Sequence, residues 1–136
     1  MGKQFRLTMP VVPEHSVQAQ LCRILTMELA PPGKLSRDGV VWYAIDHANY
    51  AGEIPGVRIA RGIVAGILDM FLLWNGHAYF VELKTEDGRL SPEQQSVAAA
   101  VLGGGGRVGV VATAEQLLAV LDSWGIPRRR RVRVAA

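Results

Sequence analysis

Three residues have types and spacing suited to phosphoryl chemistry: Asp69, Glu82 and Lys84. They flank the dipeptide Asn75-Gly76, which separates two apolar, β-rich runs, Ile67 to Trp74 and His77 to Lys84. Asn-Gly between such runs predicts a tight hairpin in which Trp74 faces His77. Counting back along both strands then sets Asp69 opposite Glu82. Two carboxylates on one face of a strand pair repel, and both sit among apolar neighbours, where an uncompensated charge is costly. A divalent cation is the simplest compensation, and Mg²⁺ or Mn²⁺ favours oxygen ligands of this kind. Lys84, two residues beyond Glu82, points to the same face. It is placed to orient or deprotonate a water and to stabilise charge on a phosphoryl group. The plainer alternative, an exposed strand end with an ordinary Glu–Lys pair, explains Glu82 and Lys84 but not Asp69.

Two more polar residues are candidates. Glu14 opens a helical pattern on the side shared with Val17, Gln18 and Leu21, where it would be an extra metal or water ligand or simply a favourable charge in a first turn. Gln94 is either a site residue or the third position of a capping box begun by Ser91. Spacing leaves both pairs of alternatives open.

The elements that must position these residues follow from periodicity. Glu14 to Leu29 reads as a helix, with Val17, Leu21, Ile24 and Leu25 at helical spacing, ended by Pro31-Pro32-Gly33. Val40 to Ile45 reads as a strand. Residues 46–66 hold five Gly or Pro and read as a loop, in which Asp46 and His47 are a turn or an added functional pair. After the hairpin, Ser91-Pro92-Glu93-Gln94 opens a helix that runs to about Leu102 and stops at Gly103 to Gly106. These glycines form a loop and no phosphate cradle, since no Gly-Lys-Ser/Thr follows. Arg107 to Ala112 is a strand, and a last helix starts at Thr113 or Ala114 and ends near Trp124-Gly125. The order is α-β-β-β-α-β-α. A hairpin ahead of a β-α-β unit predicts a mixed sheet with a right-handed crossover.

The totals bound the rest. The chain has 136 residues, enough for one domain with one core. Its single cysteine, Cys22, excludes an internal disulfide and lies in the apolar helical pattern as a core thiol. His15, His47 and His77 are scattered and form no zinc pattern with it. No run approaches the ~20 apolar residues of a membrane span. Residues 1–13 read as a leader arm without the apolar core of a signal peptide, so no membrane association and a cytoplasmic location are expected. The net charge of +3 is local: five of the fifteen basic residues are Arg128, Arg129, Arg130, Arg131 and Arg133, and residues 1–127 alone carry −2. The division expected is a domain over 1–127 and a basic tail over 128–136, either solvated or bound to phosphates.

Gly66-Ile67-Leu68-Asp69, then Glu82-Leu83-Lys84-Thr85, then Gly88-Arg89-Leu90-Ser91-Pro92-Glu93-Gln94 resemble the VRR-NUC family of the PD-(D/E)xK nuclease superfamily. The resemblance covers Glu14 to Trp124. It implies a restriction-endonuclease-like α/β core, with a mixed central sheet flanked by helices. It implies Mg²⁺ or Mn²⁺ held by Asp69, Glu82 and the Leu83 backbone carbonyl, with Lys84 as the catalytic lysine. Glu14 matches the family's acidic residue on the first helix, and Gln94 its glutamine after the E-x-K strand. Stand-alone members of this size resemble bacterial or phage proteins, some of them homodimeric enzymes on branched DNA, including four-way (Holliday) junctions. Two positions depart from the pattern. Leu68 stands where a proline is usual, and Asp46-His47-Ala48-Asn49 replaces a Pro-Asn-Gly-like turn, so substrate contacts are not carried over to that loop. The expectation is a metal-dependent, structure-selective DNA endonuclease, with Arg89 and Arg128 to Arg131 as phosphate contacts. The alternatives are a flap or end-directed nuclease with the same site, and a nucleic-acid-binding module without catalysis that relies on the arginine tail.

Overall fold

A four-stranded mixed sheet, ordered β1-β2-β3-β4, carries helices on both faces. The computed structural model of the protein describes residues 14–46, 55–85 and 87–129, with the side chains of Glu14, His15 and Pro55 outside that description. The elements are α1 (Glu14–Glu28), β1 (Val40–Ala44), α2 (Pro55–Ala60), β2 (Met70–Trp74), β3 (His77–Leu83), α3 (Pro92–Gly103), β4 (Arg107–Val111) and α4 (Ala114–Ser123). Strands β1, β2 and β3 pair antiparallel, and β3 pairs parallel with β4 through the α3 crossover.

The sequence pattern accounts for the layers. Alternation puts Val40, Trp42, Met70, Leu72, Tyr79, Val81, Leu83 and Val111 on one face, against Leu21, Leu25 and Leu29 of α1 and Leu117 and Leu121 of α4. Each fully buried leucine contributes roughly 1.5–3 kcal/mol by leaving water. The Trp42 indole N–H donates to the Ala30 carbonyl at 2.7 Å, which fixes the chain leaving α1 to the sheet. The opposite face carries a cross-strand aromatic row, Tyr43, Phe71 and Phe80, with ring centroids 5.1 and 5.3 Å apart. Helix α3 lies against β4 and belongs to this second face, because its Gln94 reaches Glu82, whose side chain alternates away from Val81 and Leu83.

The hairpin has the expected register, from Trp74↔His77 to Met70↔Val81. Asn75 and Gly76 both take positive φ, 50° and 76°, the type I′ turn that matches strand twist. Strand β2 starts at Met70 rather than Ile67, since the preceding residues turn through Gly66 to reach α3. Residues 46–66 are not all loop as expected. Pro55–Ala60 forms α2, with proline at its first position and a Schellman-type end in which Ile63 N–H donates to Arg58 O and Gly62 N–H to Ile59 O. The Gly/Pro content that suggested a loop marks the two ends of a short helix. The leader arm 1–13 and His47 lie outside the described residues. No helix among the described residues is long and apolar enough to cross a membrane.

Candidate active site

The β2–β3 hairpin brings Asp69 and Glu82 together one step beyond the last paired residues of its ladder. Strand pairing stops at Met70↔Val81 because the two carboxylates take over the backbone bonds. Asp69 N–H donates to Glu82 Oε2 at 3.1 Å, and Leu83 N–H donates to Asp69 Oδ2 at 2.8 Å. Each acid is thus held by the opposite strand's main chain, a reciprocal clasp that fixes both on the rigid part of the fold. On the other side, Ile45 N–H donates to Asp69 O at 2.8 Å and ties the same position to the end of β1. In an extended strand the N–H and C=O of one residue point to the same edge. The Leu83 carbonyl is therefore directed to the Asp69 side, as its N–H is.

Lys84 and Gln94 complete the group. Lys84 Nζ stands 3.7 Å from Glu82 Oε1, and Gln94 Nε2 donates to that same oxygen at 2.7 Å. Gln94 also closes the capping box: its Oε1 accepts Ser91 N–H at 2.9 Å, and its own N–H donates to Ser91 Oγ at 3.1 Å. The two roles that spacing left as alternatives are filled by one amide, acceptor to the helix cap and donor to the site. Its orientation follows from the bonds, since only the oxygen can accept Ser91 N–H.

Gly66, part of the first motif, has a positional reason in the structure. Its φ is +84°, and a Cβ there would overlap the Glu93 carbonyl group and lie 2.6 Å from Gln94 N. Close approach of backbone to backbone docks the segment leading to Asp69 on the first turn of α3. The acids, the lysine and the glutamine open on a pocket of about 430 Å³, lined also by Ala65, Ile67, Ser91 and Glu93.

Electrostatics single out Glu82. It is 2% exposed, and burial followed by the neighbouring Asp69 charge raises its pKa from 4.5 to about 7, against the opposing pull of Lys84. A carboxylate pair that holds a proton near neutrality also favours a cation in the proton's place. The donor set fits a hard ion of the Mg²⁺ or Mn²⁺ kind, with two fixed carboxylates, a carbonyl directed the same way and open volume for waters. Among the described residues no group of three His, Cys, Asp or Glu is placed to hold a metal.

Other expected residues are dispersed. Glu14 opens α1, but its side chain lies outside the described residues, as do Arg130 and Arg131. Arg89 is exposed on the loop before α3 and does not line the pocket. Arg128 is not part of a solvated tail. Its guanidinium grips Asp122 with two bonds, 2.8 and 3.1 Å, and Glu28 with a third at 3.0 Å, while Arg129 N–H donates to Glu28 O at 2.8 Å. The folded body extends to Arg129, two residues past the expected boundary. The signal in the sequence was weak: Glu28 reads as one more residue at a helix end, and its partner is 100 residues away.

Searches against family models, curated proteins and solved structures found no match for the chain.

Proposed function

We propose that the chain is a divalent-metal-dependent phosphodiesterase acting on DNA, a structure-selective endonuclease of the PD-(D/E)xK type. The observation that carries this reading is the clasped Asp69–Glu82 pair, with Glu82 buried and with Lys84 and Gln94 both on Glu82 Oε1. The order of the hairpin, the crossover helix and β4 around that pair agrees with a restriction-endonuclease-like core. Mg²⁺ or Mn²⁺, held by Asp69, Glu82 and the Leu83 carbonyl, would lower the pKa of water and neutralise phosphoryl charge.

The chain's own residues have separate tasks. The backbone bonds of the clasp aim the two carboxylates before any substrate arrives, so little reorganisation accompanies binding. Gln94 holds Glu82 Oε1 from one side, and Lys84 approaches it from the other. Lys84 is thereby left beside the pocket, placed to donate to a phosphoryl oxygen or to take a proton from the attacking water. A single chain offers one such site. Cutting both strands of a symmetric four-way junction therefore requires two copies, and a homodimer acting on branched DNA is the substrate class proposed. The reading as a binding module without catalysis loses part of its basis, since Arg128 is engaged by Asp122 and Glu28.

The test is cleavage of a four-way junction, a flap, a linear duplex and a single strand, each with Mg²⁺, Mn²⁺ or EDTA, beside a measurement of mass in solution. Junction cleavage by a dimer that stops in EDTA is expected. Absence of cleavage on all four sinks the enzyme, and flap cleavage by a monomer moves the substrate to the alternative class.

A further inference from the structure

Lys84 lies between two pockets of opposite character. On one side is the acid-lined pocket, with Asp69, Glu82 and Glu93. On the other is a second pocket of about 290 Å³, lined by Lys84, Thr85, Gly88, Val110, Val111, Ala112 and Gln116, with no carboxylate among the described residues. The polar side chains of this second lining are an ammonium, a hydroxyl and a primary amide.

The amide is aimed. Gln116 Oε1 accepts Ala112 N–H at 2.6 Å, which fixes the oxygen toward the chain and turns Nε2 away from it. Nε2 has no hydrogen-bond partner among the described residues. The arrangement repeats that of Gln94, whose Oε1 also caps a backbone N–H and whose Nε2 is thereby directed at Glu82. Two glutamines, each third in its helix, thus present oriented donors on either side of Lys84. Gln94 meets a carboxylate of the chain, and Gln116 meets open volume. Gly88 closes the floor: a Cβ there would stand 3.0 Å from Lys84 Cβ and from Thr85 O, so a larger residue would press on the lysine.

We propose that this second pocket binds the phosphodiester next to the scissile one, with Gln116 Nε2 and the Thr85 hydroxyl as its donors. The ligand class is a nucleic-acid strand that crosses Lys84, with one phosphate at the acids and the adjoining phosphate at Gln116. The inference rests on the hydrolase reading above. It adds that the second pocket sets which way the strand runs and contributes to binding rather than to the chemical step.

The test is Gln116→Glu, which keeps an oxygen for Ala112 N–H and replaces the donor by a negative charge. It is assayed with oligonucleotides carrying one neutral methylphosphonate linkage at successive positions. In the wild type, neutralising one linkage adjacent to the cut raises KM roughly tenfold, the scale of a hydrogen bond to a charged group. In Gln116→Glu the natural strand shows that rise and kcat is retained, while the neutral linkage restores binding. Thr85→Val, which leaves the cap untouched, gives a smaller rise at the same linkage. An unchanged KM in Gln116→Glu, or an equal linkage penalty in both proteins, overturns the proposal. Oligonucleotide affinity measured by fluorescence anisotropy separates the two readings. A chain that binds but never cuts overturns the hydrolase, and its subsite then stands or falls on whether Gln116→Glu binds more weakly. A chain that binds no oligonucleotide overturns the subsite.

Discussion

Glu28 and Glu82 are both buried, 4% and 2% exposed, and the fold treats them in opposite ways. Around Glu28 it supplies a full cation. Arg128 reaches it at 3.0 Å while gripping Asp122, and the Arg129 N–H binds the same residue's carbonyl. Around Glu82 it supplies a second acid, two neutral N–H donors and a lysine amine no closer than 3.7 Å. The first arrangement satisfies a buried charge with geometry and hydrogen bonds, as a structural ion pair must. The second holds a buried charge in place and, among the described residues, brings no cation closer than Lys84. Burial of an acid does not by itself mark a candidate site; burial with little compensation from the described residues does.

The widest separation between the two glutamates is expected in activity. Glu82→Gln and Asp69→Asn lower kcat for Mg²⁺-dependent cleavage by about a thousandfold, the range for removal of a group acting only at the transition state. Glu28→Gln is expected to leave the proposed cleavage at the wild-type rate. Steady-state assays on the best substrate of the panel check this, and equal losses in the Glu28 and Glu82 variants would break the comparison. Stability is expected to separate them in the reverse sense. Arg128→Ala removes the guanidinium shared by Glu28 and Asp122 and costs about 3 kcal/mol, somewhat reduced because Arg128 is itself partly exposed. A lower urea midpoint with unchanged slope is the expected reading, with kcat of the folded protein intact. A loss under 1 kcal/mol would mean water reaches Glu28 and the clamp is ornamental.

The sequence carried one half of this contrast and hid the other. The hairpin register, the capping box and the Asp69–Glu82 juxtaposition were legible because each depends on local spacing around Asn75-Gly76 and Ser91-Pro92. The clasp itself was not legible, since nothing in a strand pattern says that side chains will replace ladder bonds at its end. Gln94 looked like a choice between cap and site because spacing does not reveal that the two ends of one amide face different partners. The Glu28–Arg128 pair is not legible in the sequence, because an ion pair across the whole chain leaves no periodic trace. Helix α2 was missed for a simpler reason: six residues are too few to show helical periodicity against a background of Gly and Pro.

The finest distinction is in pH. The folded pKa of Glu82, about 7, lies above its ordinary 4.5, so between those values the folded chain binds the extra proton. Stability from this group is full below pH 4.5, falls as pH rises through 7 and is flat beyond it. Thermal or urea unfolding without metal is expected to lose about 3 kcal/mol across that window. Glu82→Gln removes the slope, and Glu28→Gln, carrying no change at the Asp69 pair, keeps it. Saturating Mg²⁺ flattens the slope in the wild type, because the ion displaces the proton and binds more tightly as pH rises. A slope that survives in Glu82→Gln would place the proton elsewhere. A slope that Mg²⁺ leaves unaltered would mean that the charge withheld from Glu82 is supplied by something other than a cation, and the contrast with Glu28 would then concern packing alone.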